Sequence, residues 1–370
     1  MRIGLNATCF NDRPSGANQR FLGIYGSLFD QMPDAEFLVF EPNDVKIHKW
    51  FRERSNVTFK RTIIPSEGRV KKFLIGSAFW RKYLLNQKLD FFEGFNIPSI
   101  ANPCGKTFHT IHDIRGTQKE FSSWEHFISR PAHKKSLNRV DNIITVSQTM
   151  KSEILKLCPN VDISVIYNGL DYESFNQISA NIIEETKKNL KIPSEFALSV
   201  GHFEDRKNYE NLIDAIKILK DIGLEIPLVI VGNDNGSKEK IMKKISQNNL
   251  NKLIFLRSDI TNLEVKALYK LSNLFIFPSV YEGFGIPILE AMAAKTPLIS
   301  SDIEVFKEIT QNQGIYFDPF SPNNIANSIK NTLMDSNLLN DIQAYGINRV
   351  RDFSFNSLAL QLKNFYIEKS

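Results

Sequence analysis

Short apolar runs, rich in β-branched and aromatic residues, alternate along this chain with longer stretches of helical period. The runs occupy residues 2–7, 36–40, 57–64, 91–93, 106–111, 142–146 and 163–166, then 196–200, 228–231, 253–256, 274–277, 298–300 and 315–317. Most are apolar at consecutive positions rather than at every second one, which is how strands covered on both faces of a parallel sheet read. Between them the period lengthens, with a helix of about fourteen residues from Ala17. Further helices are predicted over 70–85, 148–157, 182–190, 208–219, 238–247, 263–271, 287–294, 322–334 and 355–368. Such alternation predicts an α/β protein with helices on both faces of its sheets. No short repeat is present, which excludes a solenoid. The series breaks once: Asn168-Gly169 ends a strand in a turn, and the polar stretch 171–193 follows. The expectation is two Rossmann-like, doubly wound domains, 1–175 and 190–350, with ligands at the carboxyl ends of their strands.

One stretch concentrates chemistry. In LFIFPSVYEGFGIPILEAMAA, residues 274–294, an apolar strand is stopped by Pro278, Gly283-Phe284-Gly285 follow, and Pro287 marks a helix start. A strand, a glycine loop and a helix N-terminus form an anion site, because backbone N–H groups and the helix dipole both point into the loop. Glu282 and Glu290 stand at either end of the turn. Carboxylates repel phosphate, so these two suit hydroxyls, and the ligand combines phosphate with sugar character.

Three other places fit that ligand. GHFEDRKN (201–208) follows a strand and puts Arg206 and Lys207 at its carboxyl end, a fork and a point charge suited to a diphosphate. The competing reading is a pair of surface cations. His112 follows the strand 106–111, where a histidine reaches the ligand crevice; a structural histidine is the competing reading, and His109 inside the strand belongs to the core. Gly16, in CFNDRPSGANQ, lets the backbone pass close to a ligand, or simply makes a strand–helix turn. No G-x-G-x-x-G fingerprint occurs, which argues against a nicotinamide or flavin dehydrogenase.

Composition narrows the class. A chain of 370 residues suits two cores rather than one, and 42% hydrophobic with 24% charged residues is the balance of a soluble globular protein. Cys9, Cys104 and Cys158 are far apart and include no C-x-x-C, so neither a disulfide framework nor a zinc site is indicated. Met1-Arg2 leads straight into a strand-like IGLNA, and no apolar run approaches the ~20 residues of a membrane span, so a cytoplasmic protein is expected. The net charge of +5 is uneven: residues 46–88 hold twelve Lys/Arg against two acids. Within them RVKKFLIGSAFWRKY, from Arg69 to Tyr83, mixes five basic residues with aromatics. Two readings stand, a core-packed helix with a charged outer face, or a helix lying on an anionic membrane surface. The basic region contains no nucleic-acid recognition module.

Together these passages resemble the retaining glycosyltransferases of family 4, which have a GT-B architecture of two Rossmann-like domains facing a cleft. The resemblance rests on GHFEDRKNYENL (201–212), LVIVG (228–232), PSVYEGFGIPILEAMAAKTPLISSDIEVFKEI (278–309) and YFDPFSP (316–322), with weaker echoes in PSGANQR, TIHDI, IITVSQ and VIYNGLD. Glu282 and Glu290 have the family's E-x7-E spacing. It departs from the pattern at His202, where many relatives carry Arg, at Tyr167 in place of a common Pro, and in a single loop glycine, Gly16.

The resemblance implies that Arg206 and Lys207 neutralise the donor diphosphate, helped by the amides of Gly283, Phe284, Gly285 and Ile286. It implies that Glu290 binds the nucleotide ribose, Glu282 the transferred sugar's hydroxyls and His112 the donor sugar, while Gly16 lines the acceptor or phosphate side. It further implies a terminal helix, 353–370, crossing back onto the first domain. VIYNGLD and GHFEDRKN also occur in O-antigen-type mannosyltransferases, so the expected donor is GDP-mannose and the acceptor a glycan or lipid-linked glycan at the inner membrane face. No D-x-D triplet occurs, so no metal and no cofactor are expected. A catalytically silent nucleotide-sugar-binding or scaffold protein on the same fold is the alternative; an epimerase or phosphorylase lacks motif support.

Overall fold

The computed structural model describes residues 1–13, 15–68, 79–80, 83–95, 97–118 and 125–370. The chain divides into two compact units, Met1–Gly169 with Phe355–Ser370, and Leu170–Ser354.

In the first unit β1 (Arg2–Asn6), β2 (Glu36–Glu41), β3 (Val57–Arg61), β4 (Phe91–Gly94), β5 (Lys106–Ile111), β6 (Asn142–Thr145) and β7 (Ile163–Val165) form one parallel sheet, in the order β3-β2-β1-β4-β5-β6-β7. Central strands such as β4 and β6 are buried at every residue, which is why they read as unbroken apolar runs. The helix after β1 is capped by Ser15, whose Oγ accepts from the Asn18 N–H at 3.1 Å. It is not uniform: Gly16–Arg20 is α-helical, Phe21–Tyr25 is π-helical and Gly26–Gln31 is α-helical again. Gly23 on this helix seats Phe355, since a Cβ there would lie 2.3 Å from the phenyl Cζ. The helix Phe355–Lys369 that begins at that residue buries Leu358, Leu362, Phe365 and Tyr366 in the same core as Phe91 and Phe108. Each such side chain contributes on the order of 2 kcal/mol through the area it removes from water.

Residues 69–78 and 81–82, most of the basic aromatic segment, lie outside the described residues. Of its aromatics Trp80 is buried against Phe40 and Phe92 at ring distances of 5.2 Å, so this ring belongs to the core rather than to a membrane surface.

The second unit repeats the plan. β8 (Ala197–Val200), β9 (Leu228–Val231), β10 (Ile254–Arg257), β11 (Leu274–Phe277), β12 (Leu298–Ser301) and β13 (Ile315–Phe317) are parallel, in the order β10-β9-β8-β11-β12-β13. Helix Ile286–Ala294 is apolar nearly all round and correspondingly enclosed, with Ile288, Leu289, Ala291 and Met292 buried. Helix Ser336–Arg349 was not indicated by the apolar pattern. It buries only Ile342, Gly346 and Arg349, and Gly346 is needed because a Cβ there would approach Met292 Cγ to 3.0 Å. Its apolar residues Leu338, Leu339, Ile342 and Tyr345 do stand at helical spacing, but only Ile342 of the four is buried.

Candidate functional site

β8 and β11 are neighbours, and from them the sheet order runs outward in opposite directions, β9 and β10 on one side, β12 and β13 on the other. This is the topological switch point, where open α/β sheets bind ligands beyond the strands' carboxyl ends. Both segments leaving it carry predicted site residues.

After β8 the chain turns at Gly201, where an added Cβ would lie 2.8 Å from Lys207 Cε. A Cβ on Gly232, beyond β9, would fall 2.0 Å from the Gly201 carbonyl oxygen, so two glycines let these turns close on one another. The 3-10 turn Asp205–Lys207 ends at Asn208, in the left-handed region (φ +57°), whose Nδ2 donates to Pro319 O at 2.7 Å. The loop after β11 is fastened to this turn through the Val280 N–H, which donates to Arg206 O at 2.9 Å.

The side chains then converge. Lys207 Nζ donates to Glu282 Oε1 at 2.7 Å and lies 4.9 Å from the Phe277 ring centroid. Arg206 Nη1 reaches Glu282 Oε2 at 2.5 Å and the Tyr281 carbonyl at 3.2 Å, while its Nη2 pairs with Glu204 Oε1 at 2.5 Å. Lys207, Glu282 and Arg206 are 8%, 12% and 20% exposed, so the cluster is sheltered but reachable. Burial pushes the Glu282 carboxyl upward, but Lys207 and Arg206 overcome it and hold the group at about 2. Two cations are matched here by two carboxylates, one of which, Glu204, the motif did not single out.

Gly285 caps helix Ile286–Ala294 with φ +156°, and a Cβ on it would meet Ile309 and Phe306 at 3.2 Å. Pro287 has no N–H and the Ile288 N–H donates to Gly285 O at 2.9 Å, so the helix start leaves the amides of Gly285 and Ile286 for an anion at this loop. Phe284 is buried, its ring 5.9 Å from that of Phe353. Glu290, within the helix, accepts a hydrogen bond from the Tyr269 hydroxyl at 2.9 Å. Burial raises its pKa, while Tyr269, Lys266 and Lys207 work to keep it charged.

The structure thus brings Arg206, Lys207, Glu282, Gly283, Phe284, Gly285, Ile286 and Glu290 together in one unit. His112 and Gly16 belong to the other. His112 follows β5, and its Nε2 is buried without a hydrogen-bond partner among the described residues. Burial, with Arg20 and His109 nearby, depresses its pKa to about 3, which leaves a neutral ring at pH 7. Gly16 is the first residue of the helix after β1. Tyr269 and Glu204 went unread in the sequence, Tyr269 because its partner is 21 positions away on another helix.

Two family models match, "Glycosyltransferase Family 4" over residues 37–174 and "Glycosyl transferases group 1" over residues 182–349. The chain is 32% identical over 249 residues to the O-antigen chain mannosyltransferase RfbU of Salmonella typhimurium, covering 66% of this chain. It is 25% identical over 275 residues, 74% of its length, to O-antigen chain mannosyltransferase B of Escherichia coli. It spans about two thirds of the length of these relatives, 65% of the first and 72% of the second. In fold it is similar to sucrose-phosphate synthase from Thermosynechococcus elongatus, with a TM-score of 0.78 and 19% identity over 99% of this chain and 98% of that one. Two doubly wound parallel sheets, a switch-point loop with E-x7-E spacing and matches along most of its length place this chain in glycosyltransferase family 4.

Proposed function

We propose that the chain transfers a sugar from a nucleotide diphosphate donor, GDP-mannose first among candidates, to a glycan or lipid-linked glycan, with retention of anomeric configuration. The observation that carries the reading is the Arg206–Lys207–Glu282 cluster at the β8/β11 switch point, beside a helix N-terminus. Departure of a nucleoside diphosphate develops negative charge, and fixed cations and helix amides stabilise it without reorganising. Glu282 keeps both cations in place and offers its remaining lone pairs to the sugar's hydroxyls. His112, neutral, donates or accepts a single hydrogen bond at the donor sugar. The acceptor hydroxyl attacks the face from which the leaving group departs, and the leaving phosphate takes its proton, so no protein nucleophile is required. The mannosyl assignment draws on the two O-antigen relatives.

The same reading holds that no metal is required, and turnover insensitive to EDTA is the expected result. Among the described residues no helix is long and apolar enough to cross a membrane. Cytoplasmic placement at the inner membrane face, with residues 69–83 touching anionic lipid, is part of the proposal; recovery in the soluble fraction after flotation with anionic liposomes at low salt would reject that contact.

A thermal-shift and calorimetric screen of UDP, GDP, ADP and TDP tests the donor, with GDP expected to bind. Transfer from the matching nucleotide sugar, with the product anomer read by NMR, tests reaction and stereochemistry. Donor binding without any transfer to glycan acceptors would favour a silent nucleotide-sugar-binding protein.

A further inference from the structure

We infer that Tyr269 is a positioning residue for the donor nucleotide, fixing the Glu290 carboxylate so that its open lone pairs face the ribose hydroxyls. The inference rests on the ribose reading of Glu290 and deepens it. Tyr269 lies on helix Asn262–Leu271 and is 0% exposed. Its orientation is fixed from several sides. Its carbonyl accepts from Ser272 Oγ at 2.9 Å and Thr296 Oγ1 at 2.5 Å, and its ring lies 5.1 Å from that of Phe275 on β11. A phenylalanine would fill the same space. A buried hydroxyl is costly unless it is paired, so its presence calls for a partner, and the partner is Glu290 Oε2 at 2.9 Å.

The geometry divides the carboxylate. Tyr269 occupies one site on Oε2, and no described residue donates to Oε1. A carboxylate held in this way can accept two neighbouring hydroxyl protons, which a vicinal diol supplies, provided it stays ionised. Ionisation is opposed by burial and favoured by Tyr269, by Lys266 from the same helix and by Lys207 from the loop after β8. The Tyr269 phenol, held well above its ordinary range first by burial and then by Glu290, keeps its proton and acts only as a donor. Loss of that hydroxyl both frees the carboxylate to rotate and lets it protonate at higher pH.

The test compares GDP with 2′,3′-dideoxy-GDP, or the uridine pair if the screen above selects UDP, by calorimetry on wild type, Tyr269→Phe and Glu290→Gln. In Tyr269→Phe the Kd for the ribonucleotide rises roughly tenfold, the dideoxy form binds as to wild type, and the acid limb of ribonucleotide binding moves to higher pH. An unchanged ribo-to-dideoxy ratio in Tyr269→Phe, with Glu290→Gln losing it, removes Tyr269 from the role and leaves Glu290 in place. A ratio unchanged in Glu290→Gln overturns the ribose reading itself, and the proposal with it. Should Tyr269→Phe fail to fold, 3-fluorotyrosine at position 269 keeps the shape and makes a stronger donor. It moves the acid limb to lower pH, and an unmoved limb overturns the inference.

Discussion

Both units place an acid at the strand that pairs with the first strand at the sheet's turning point, and they treat it in opposite ways. Glu93, inside β4, is 0% exposed and among the described residues receives only hydroxyls, from Tyr25 and Thr110 on Oε1 and Tyr366 on Oε2. Arg20, 1% exposed, gives its protons to the carbonyls of Ile166 and Tyr167, at 2.9 and 2.5 Å. Glu282, in the loop after β11, takes Lys207 and Arg206 directly. Burial raises the pKa of Glu93, and three hydroxyls do not reverse it; burial also pushes Glu282 up, but two cations bring it to about 2. The difference suits the two clusters to different tasks. Hydroxyls can satisfy a carboxyl in either protonation state and serve packing, whereas paired charges at a sheltered but open edge can be exchanged for those of a ligand.

The largest effect expected from breaking this contrast is on turnover. Lys207→Ala should lower it by about 100-fold or more, the scale on which removing one fixed donor to a developing oxyanion acts. Steady-state kinetics on the folded variant check this, and near-normal turnover would take Lys207 out of the diphosphate site.

Acid and base titrations of stability should separate the two carboxyls by sign. Glu282, depressed to about 2 from an ordinary 4.5, contributes stability that is complete above 4.5 and lost as pH falls towards 2. Glu93, raised above 4.5, does the reverse: its contribution is complete below 4.5 and declines as pH rises through its folded value. Denaturant midpoints across pH should lose the acid-side decline in Glu282→Gln and the decline with rising pH in Glu93→Gln. Identical profiles in the two variants would erase the distinction.

The smallest effect belongs to single hydroxyls. Tyr366→Phe should cost about 1–2 kcal/mol of stability, read from urea unfolding, and leave turnover at moderate temperature unchanged. A fall in turnover without a fall in stability would give the Glu93 cluster a part in the reaction.

Much of the architecture was legible because strands buried on both faces leave contiguous apolar runs. Runs at 228–231, 274–277 and 315–317 are strands with those bounds. The helix Ser336–Arg349 was missed, its apolar residues Leu338, Leu339, Ile342 and Tyr345 being few among polar ones. At the site the loop residues were legible through their spacing, 282 to 290, and through two adjacent cations after a strand. Contacts between distant positions were not. Glu204 and Asp205 are chemically alike in sequence, yet one faces Arg206 and the other is 79% exposed. Nothing near Glu93 announces Tyr366, which lies 273 positions later.

That last separation bears on how the protein is made. At translation speeds of roughly 5–20 residues per second, Tyr366 emerges some 14–55 s after the acid it must reach. Residues 170–354 are continuous in the chain and can complete their own core during synthesis. The first unit must wait for residues that follow the whole of the second. Until the helix Phe355–Lys369 is released, Phe91 and Phe108 lack their final cover and Glu93 lacks its third donor. The part of the chain synthesised first is therefore the part whose core is completed last, and that incomplete core is open to chaperones or aggregation while residues 170–354 are being made.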